Sequence, residues 1–188
     1  LGVVSHPGRW PTTAFLDRDG TLIRDTGYVA TPGEVELLAG AAEAVRLLNE
    51  AAVPVVVVTN QSGIGRGLFD EPAFQAVQNR LEWLLAESGA RIEATFFCPH
   101  APAARCECRK PGLDLYRAAA DSGFETAGAL YAGDRARDVL PALALGGLGM
   151  LVAGEDGTYD GHVPSEVILV PDLLSGVRGL LAIPEDDP

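Results

Sequence analysis

The sequence has little basic charge, few cysteines and no long apolar run. Its 14 lysine and arginine residues stand against 26 acidic residues, and the formal net charge of −12 argues against nucleic-acid or anionic-membrane partners. No apolar stretch approaches the roughly 20 residues that cross a bilayer. Residues 1–11 lack a charged segment followed by an apolar one, so we expect no secretion signal and a cytoplasmic protein.

Hydrophobic residues make up 47% of the chain, and its apolar segments alternate between strand and helix patterns. The valine-rich run Pro54–Thr59 has no polar alternation, which predicts a strand buried on both faces. The alternating order predicts one α/β domain over residues 1–188, with a parallel sheet covered by helices on both faces. We expect its core at about 13–175 and a disordered, acidic tail at 184–188.

These patterns place the individual strands and helices. The strands are expected at Ala14–Asp17, Pro54–Thr59, Ile92–Cys98, Ala129–Gly133, Leu148–Val152 and Val167–Val170. The helices are expected at Ala41–Ala51, Leu113–Ser122 and Ala136–Leu145, with a long helix begun by Asp70 and closed by Gly89.

Polar side chains follow four of the predicted strands at the points where they end. In open parallel sheets, ligands bind beyond the carboxyl ends of the strands. In chain order the residues are Asp17 and Asp19, then Thr59, Asn60, Gln61 and Ser62, then Arg109 and Lys110, then Asp134 and Arg135. The sequence therefore predicts an active site at this edge.

Asp17 and Asp19 lie two residues apart at the end of the first strand. Alternate strand residues point the same way, and Gly20 allows a sharp turn, so both carboxylates can face one small volume. Such a pair can hold a hard cation, attack an electrophile and transfer a proton. The alternative is a strand-end turn with two solvated aspartates.

The only cysteines of the chain lie close together, in the pattern Cys98-x-His100 followed by Cys106-x-Cys108. Three thiolates and one imidazole match a structural, tetrahedral zinc site. A disulfide is the alternative, but three cysteines leave one unpaired, and the setting is expected to be reducing. Zinc would fix the surrounding loop and direct Arg109 and Lys110 into the pocket.

The motif Asp17-x-Asp19-Gly20-Thr21, followed by Thr59, Lys110 and Gly133-Asp134-x-x-x-Asp138, resembles that of the haloacid dehalogenase superfamily of phosphatases. The resemblance implies a Rossmann-like sheet. It also implies Asp17 as the nucleophile, Asp19 as general acid and base, and Thr59 and Lys110 as ligands of the phosphoryl oxygens. Mg²⁺ would be bound by the Asp17 and Asp134 carboxylates and the Asp19 backbone carbonyl. Asp138 is favoured to orient Lys110 or cap its helix, with metal binding as the alternative.

Within the superfamily, three segments resemble the phosphatases that act on D-glycero-D-manno-heptose 1,7-bisphosphate. They are 25–29, 59–64 and 98–111. Histidinol-phosphate phosphatases are the alternative, because the zinc loop is short and Arg135 stands where the heptose enzymes commonly have lysine. The resemblance implies that 25–28 and 60–62 are sugar-contacting loops, and the segments 25–29 and 60–64 favour the heptose substrate. The implied substrate-binding residues are Asp25, Thr26, Gly27, Tyr28, Asn60, Gln61, Ser62, Arg109 and Arg135.

The interval between Thr21 and the first predicted helix is too short for the cap domain that many superfamily members carry. We therefore expect a capless, open site. A monomer is also expected. A non-catalytic zinc-binding interaction module is a third hypothesis, but it gives no reason to keep the two aspartates, Lys110 and Asp134 together. A nucleic-acid end phosphatase is disfavoured because the chain has no basic stripe.

Overall fold

A six-stranded parallel sheet forms the centre of the computed structural model, which describes residues 11–181. The strand order is β3-β2-β1-β4-β5-β6, so the first strand lies in the middle of the sheet. The strands are β1 (Ala14–Leu16), β2 (Val55–Asn60), β3 (Ala94–Cys98), β4 (Leu130–Gly133), β5 (Leu148–Val152) and β6 (Ile168–Val170). The predicted fold class is confirmed, and the predicted tail at 184–188 lies outside the described residues.

Seven α-helices are described between these strands. They are α1 (Ala41–Glu50), α2 (Ser62–Gly65), α3 (Glu71–Ala86), α4 (Asp114–Asp121), α5 (Ala136–Val139), α6 (Pro141–Leu145) and α7 (Leu173–Leu181). The single helix predicted over 136–145 is instead two helices that meet at Leu140, because Pro141 has no N–H to continue the first one. Neither α2 nor α7 was predicted, since both contain two glycines, which weaken the helical pattern.

Two apolar clusters cover the two faces of the sheet. In β1, Ala14 and Leu16 point to one face, where α1, α3 and α7 pack, and Phe15 points to the other face, where α4 packs. Each strand residue is therefore buried whichever way it points, and this explains the uninterrupted valines of β2.

The edge formed by the carboxyl ends of the strands carries no inserted domain within residues 11–181. Between β1 and α1 the structure has only a 3₁₀ turn at Pro32–Glu34, and between β2 and β3 it has only α2 and α3. The segment after β5 returns to this edge, where the Asp160 carboxylate accepts a hydrogen bond of 3.0 Å from the backbone N–H of Ala136. Within the described part of the chain, every helix is too short or too polar to cross a membrane.

Candidate active site

The central strands β1 and β4 bring three acids together. Leu16 pairs with Ala132, and the backbone N–H of Asp17 donates to the Ala132 carbonyl at 2.9 Å, so Asp17 and Asp134 follow adjacent strand ends. Carboxylate oxygens of Asp17, Asp134 and Asp138 all lie within 4.8 Å of one another. The turn after Asp19 requires Gly20, whose φ is +82° and where a Cβ would lie 2.5 Å from an Asp134 oxygen.

The negative charge of the three carboxylates exceeds the positive charge of Lys110 and Arg135, the two basic side chains within residues 11–181 that contact them. Burial, together with repulsion from Asp17 and Asp138, raises the pKa of Asp134 to about 7. Burial and Asp17 also raise the pKa of Asp138 to about 6. The Oδ1 atom of Asp134 is buried and makes no hydrogen bond within the described residues. A site with buried, under-neutralised oxygen donors fits a hard divalent cation such as Mg²⁺.

Lys110, the only lysine of the sequence, lies inside this acidic cluster. Its ammonium Nζ lies 2.9 Å from Asp17 Oδ1 and 2.7 Å from Asp138 Oδ1, and it donates to the Val58 carbonyl at 2.6 Å. Burial alone would lower the pKa of Lys110, but the Asp138 and Asp17 carboxylates outweigh it and raise that pKa above its usual value. Lys110 is therefore held as a cation beside the expected nucleophile.

Two side chains hold Lys110 in this place. The second oxygen of Asp138 accepts the backbone N–H of Arg135 at 3.0 Å, so Asp138 both aligns Lys110 and caps α5. The Asn60 amide accepts the backbone N–H of Lys110 at 3.0 Å and donates to its carbonyl at 3.3 Å. The bracing contact of Asn60 was missed by sequence reasoning, and its substrate contact stays a prediction.

The Asp19 carboxylate is held by two neighbouring side chains. Arg18 donates to both of its oxygens at 3.0–3.1 Å, and Gln61 donates to Oδ2 at 2.7 Å and to the Thr59 hydroxyl at 2.9 Å. Burial raises the pKa of Asp19 against the opposing effect of Arg18, and the Asp17 charge adds to the rise. A carboxyl group with a raised pKa is suited to donate a proton.

Of the remaining predicted substrate residues, Arg135 contacts the acidic cluster and Asp25 lies near Arg135. Asp25, Thr26, Gly27 and Tyr28 form an exposed turn, in which the Asp25 carboxylate accepts the backbone N–H of Gly27 at 2.8 Å. Arg135 lies 3.0 Å from Asp134 and 3.7 Å from Asp25, and Ser62 begins α2. Their contacts with a substrate, and those of Arg109, stay predictions.

The four predicted zinc ligands converge. Sulfur–sulfur distances among Cys98, Cys106 and Cys108 are 3.2–3.5 Å, and His100 Nδ1 lies 3.2 Å from the Cys108 sulfur. These separations are far longer than a disulfide bond of about 2.05 Å and close to the edge of a tetrahedron with Zn–S bonds of about 2.3 Å. The three thiols are free, and the donor set fits zinc.

The loop that carries the four predicted zinc ligands, residues 98–108, forms backbone hydrogen bonds with the segment that contains α2, and it leads directly into Lys110. The backbone N–H of Gly65 donates to the Pro99 carbonyl at 2.7 Å, and that of Gln61 donates to the Cys98 carbonyl at 2.8 Å. A Cβ at Gly65 would lie 2.4 Å from the Ala101 nitrogen, so only glycine permits this packing. The ligand loop therefore links the segment after β2 to Lys110.

Comparisons with known proteins agree with this geometry. No family model matches the chain. A D-glycero-beta-D-manno-heptose-1,7-bisphosphate 7-phosphatase of Yersinia pestis is 36% identical over 166 residues, which cover 82% of this chain and 88% of that protein.

Solved structures agree as well. The D,D-heptose 1,7-bisphosphate phosphatase of B. bronchiseptica, complexed with magnesium and phosphate, has a TM-score of 0.83 and 35% identity, covering 90% of this chain and 97% of that one. A haloacid dehalogenase superfamily hydrolase of Ehrlichia chaffeensis shares the fold at 14% identity, with a TM-score of 0.62 over 94% of this chain and 98% of that one.

These relatives do not favour the histidinol-phosphate alternative, because the similar phosphatases carry heptose names. The chain belongs to the family of D-glycero-D-manno-heptose 1,7-bisphosphate 7-phosphatases in the haloacid dehalogenase superfamily.

Proposed function

We propose that the protein removes the 7-phosphate of D-glycero-D-manno-heptose 1,7-bisphosphate through a phosphorylated Asp17. The observation that carries the proposal is the meeting of Asp17, Lys110 and Asp134 at the carboxyl edge of the sheet in a member of this family. The same arrangement argues against a non-catalytic zinc-binding module, since binding zinc alone needs none of these three residues.

Asp17 attacks phosphorus, forming an aspartyl-phosphate as the bond to the sugar oxygen breaks. Asp19 gives its proton to the departing oxygen, and its carboxylate then takes a proton from the water that splits the aspartyl-phosphate. Lys110 and the Thr59 hydroxyl bind the non-bridging oxygens of the phosphoryl group and stabilise their negative charge in the transition state. Phosphate is released and Asp17 is regenerated.

Asp17, Asp134 and the Asp19 backbone carbonyl would hold Mg²⁺ in this proposal. Magnesium supplies charge neutralisation, which allows a carboxylate to approach an anionic phosphoryl group. Asp138 is not among the proposed metal ligands, because its two oxygens already contact the Lys110 ammonium and the Arg135 backbone N–H.

Phosphate release from the heptose bisphosphate in the presence of Mg²⁺ tests this function. Phosphorus NMR of the product should show that the 7-phosphate is lost and the 1-phosphate is kept. Loss of the 1-phosphate, or no release with Mg²⁺ present, would contradict the proposal.

Arg109 is proposed to bind the remote phosphate, since a planar guanidinium can grip two phosphate oxygens. Its Nη1 is buried without a hydrogen bond in the described residues. Arg109→Ala should lower kcat/KM for the bisphosphate by roughly 10- to 100-fold, the loss expected for a hydrogen bond to a charged group, and leave a 7-monophosphate nearly unaffected. Arg117→Ala, which removes an exposed arginine of α4, is the control. Equal losses on the two substrates would rule out this role for Arg109.

Zinc bound by Cys98, His100, Cys106 and Cys108 is proposed to keep Lys110 in place. Cys106→Ser should lower both the zinc content and kcat, because three ligands hold the metal less tightly than four. Glu107→Gln changes an exposed side chain between two ligands and should alter neither property. Metal analysis and phosphate release on the same samples decide the point, and full activity in zinc-free protein would refute the coupling.

We also propose that the protein acts as a monomer in the cytoplasm on a small sugar phosphate, without nucleic acid or membranes. The excess of acidic over basic residues supports the expected lack of nucleic-acid and anionic-membrane partners.

A further inference from the structure

Arg18 stands between the two catalytic aspartates, yet the mechanism above gives it no role. The residue is fully buried, at 0% relative exposure. Arginine is almost never fully buried unless it is paired, because an unpaired guanidinium loses its hydration. Asp19 is the one carboxylate that pairs with Arg18 among residues 11–181.

The guanidinium of Arg18 engages both oxygens of the Asp19 carboxylate. Its Nη2 lies 3.0 Å from Oδ1 and 3.1 Å from Oδ2, and its Nε lies 3.1 Å from Oδ1. Gln61 adds a third donor at 2.7 Å from Oδ2. Because both oxygens are held, the carboxylate of Asp19 cannot rotate freely about its Cβ–Cγ bond.

Arg18 is itself fixed from behind by aromatic packing. Its Cζ lies 5.3 Å from the centroid of the Phe74 ring in α3, which is the range of a cation–π contact. The Phe74 ring packs on Phe97 of β3, with centroids 4.3 Å apart. The orientation of Asp19 is thus set by two elements that belong to the core.

We propose, resting on the function above, that Arg18 is a positioning residue that aims the Asp19 carboxyl at the departing sugar oxygen. Without Arg18, only the Gln61 contact with Oδ2 holds the Asp19 carboxyl, so the carboxyl would turn away from the sugar oxygen more often and donate its proton less effectively. Because Arg18 is fully buried, we expect it to act through Asp19 and not by contacting the substrate, so its main effect should be on proton transfer.

Leaving-group dependence distinguishes this role from a merely structural one. A sugar oxygen needs a proton as it leaves, whereas p-nitrophenol leaves as a stabilised phenolate. The parameter kcat/KM reports steps up to formation of the aspartyl-phosphate, so it isolates this proton transfer. The holoenzyme, with Mg²⁺ and zinc, is compared with Arg18→Met and Arg18→Lys on the heptose bisphosphate and on p-nitrophenyl phosphate.

Arg18→Met should lower kcat/KM for the sugar phosphate about 100-fold and that for the aryl phosphate only a few-fold, the pattern of lost general-acid catalysis. Arg18→Lys keeps the positive charge but cannot donate from two nitrogens to both carboxylate oxygens. Its loss should therefore be smaller than that of Arg18→Met. In an Asp19→Asn background, Arg18→Met should add almost nothing to the loss on the sugar phosphate. Arg80→Met removes an arginine stacked at 4.3 Å on Trp83 in the same helix α3 and should change neither substrate.

Equal losses on the two substrates, or full additivity with Asp19→Asn, would overturn the positioning role. A failure of the proposed function gives a different result, in which the wild-type enzyme cleaves other alkyl phosphates but not the heptose bisphosphate. The Arg18 comparison, run on those alkyl phosphates, then still decides the role of Arg18.

Discussion

Asp17→Asn is expected to abolish phosphate release while leaving the fold intact. An amide is too weak a nucleophile to attack phosphorus, and loss of a catalytic nucleophile in other enzymes costs up to about 10⁶ in kcat. Stability should be unchanged or slightly higher, because one of three crowded carboxylates becomes neutral and Lys110 keeps Asp138 as its partner. Phosphate release and thermal unfolding of the same sample test both parts.

The matched control for this change is Asp114→Asn, which neutralises an exposed aspartate of α4 paired with Arg117 at 2.8 Å. It should keep full activity, since exposed pairs of this kind contribute little. Turnover near the wild-type level in Asp17→Asn would refute the assignment of Asp17 as the nucleophile.

Lys110→Met should lower both kcat and the free energy of unfolding. Without the ammonium, transition-state charge on the phosphoryl group loses one donor, which typically costs about 10²–10³ in kcat. Asp17 and Asp138 would remain buried without their cation, and breaking a buried pair in this way costs about 3–5 kcal/mol of unfolding free energy. Urea unfolding and phosphate release of the variant measure the two losses.

The double variant Lys110→Met with Asp138→Asn separates the two effects. Asparagine can still accept the Arg135 backbone N–H through its side-chain oxygen, and it removes one uncompensated charge. The double variant should therefore recover part of the stability and none of the activity. Recovery of activity along with stability would mean that Lys110 supports the fold and takes no part in the chemistry.

The sequence predicts most of the sheet and the four groups of polar residues that follow the carboxyl ends of its strands. The valines of β2 and the polar residues that follow each strand are strong local signals, and parallel pairing then brings Asp17 and Asp134 together. The four predicted zinc ligands give an equally strong local signal, because the sulfur and imidazole donors all lie within the short segment from Cys98 to Cys108. Local sequence patterns are sufficient to predict a site when its residues are close in sequence or follow neighbouring parallel strands.

Contacts between distant segments could not be predicted in this way. Asn60 braces Lys110 across 50 positions, and Arg18 stacks on a phenylalanine of α3, so neither partner is marked by local spacing. Helix α7 was missed because its glycine at 176 breaks the pattern, although a Cβ there would collide with Met150 at 2.5 Å. For these two contacts and for helix α7, packing between distant segments selects the structure. A short stretch of sequence does not contain that information.

The most direct test of the proposed function compares kcat/KM, with Mg²⁺, for both anomers of D-glycero-D-manno-heptose 1,7-bisphosphate and for histidinol phosphate. Asp17→Asn serves as the blank for contaminating phosphatases. We expect a strong preference for one heptose anomer, and no release by the blank. A preference for histidinol phosphate would contradict the account and would make the short zinc loop, not the sugar-contacting loops, the determinant of specificity.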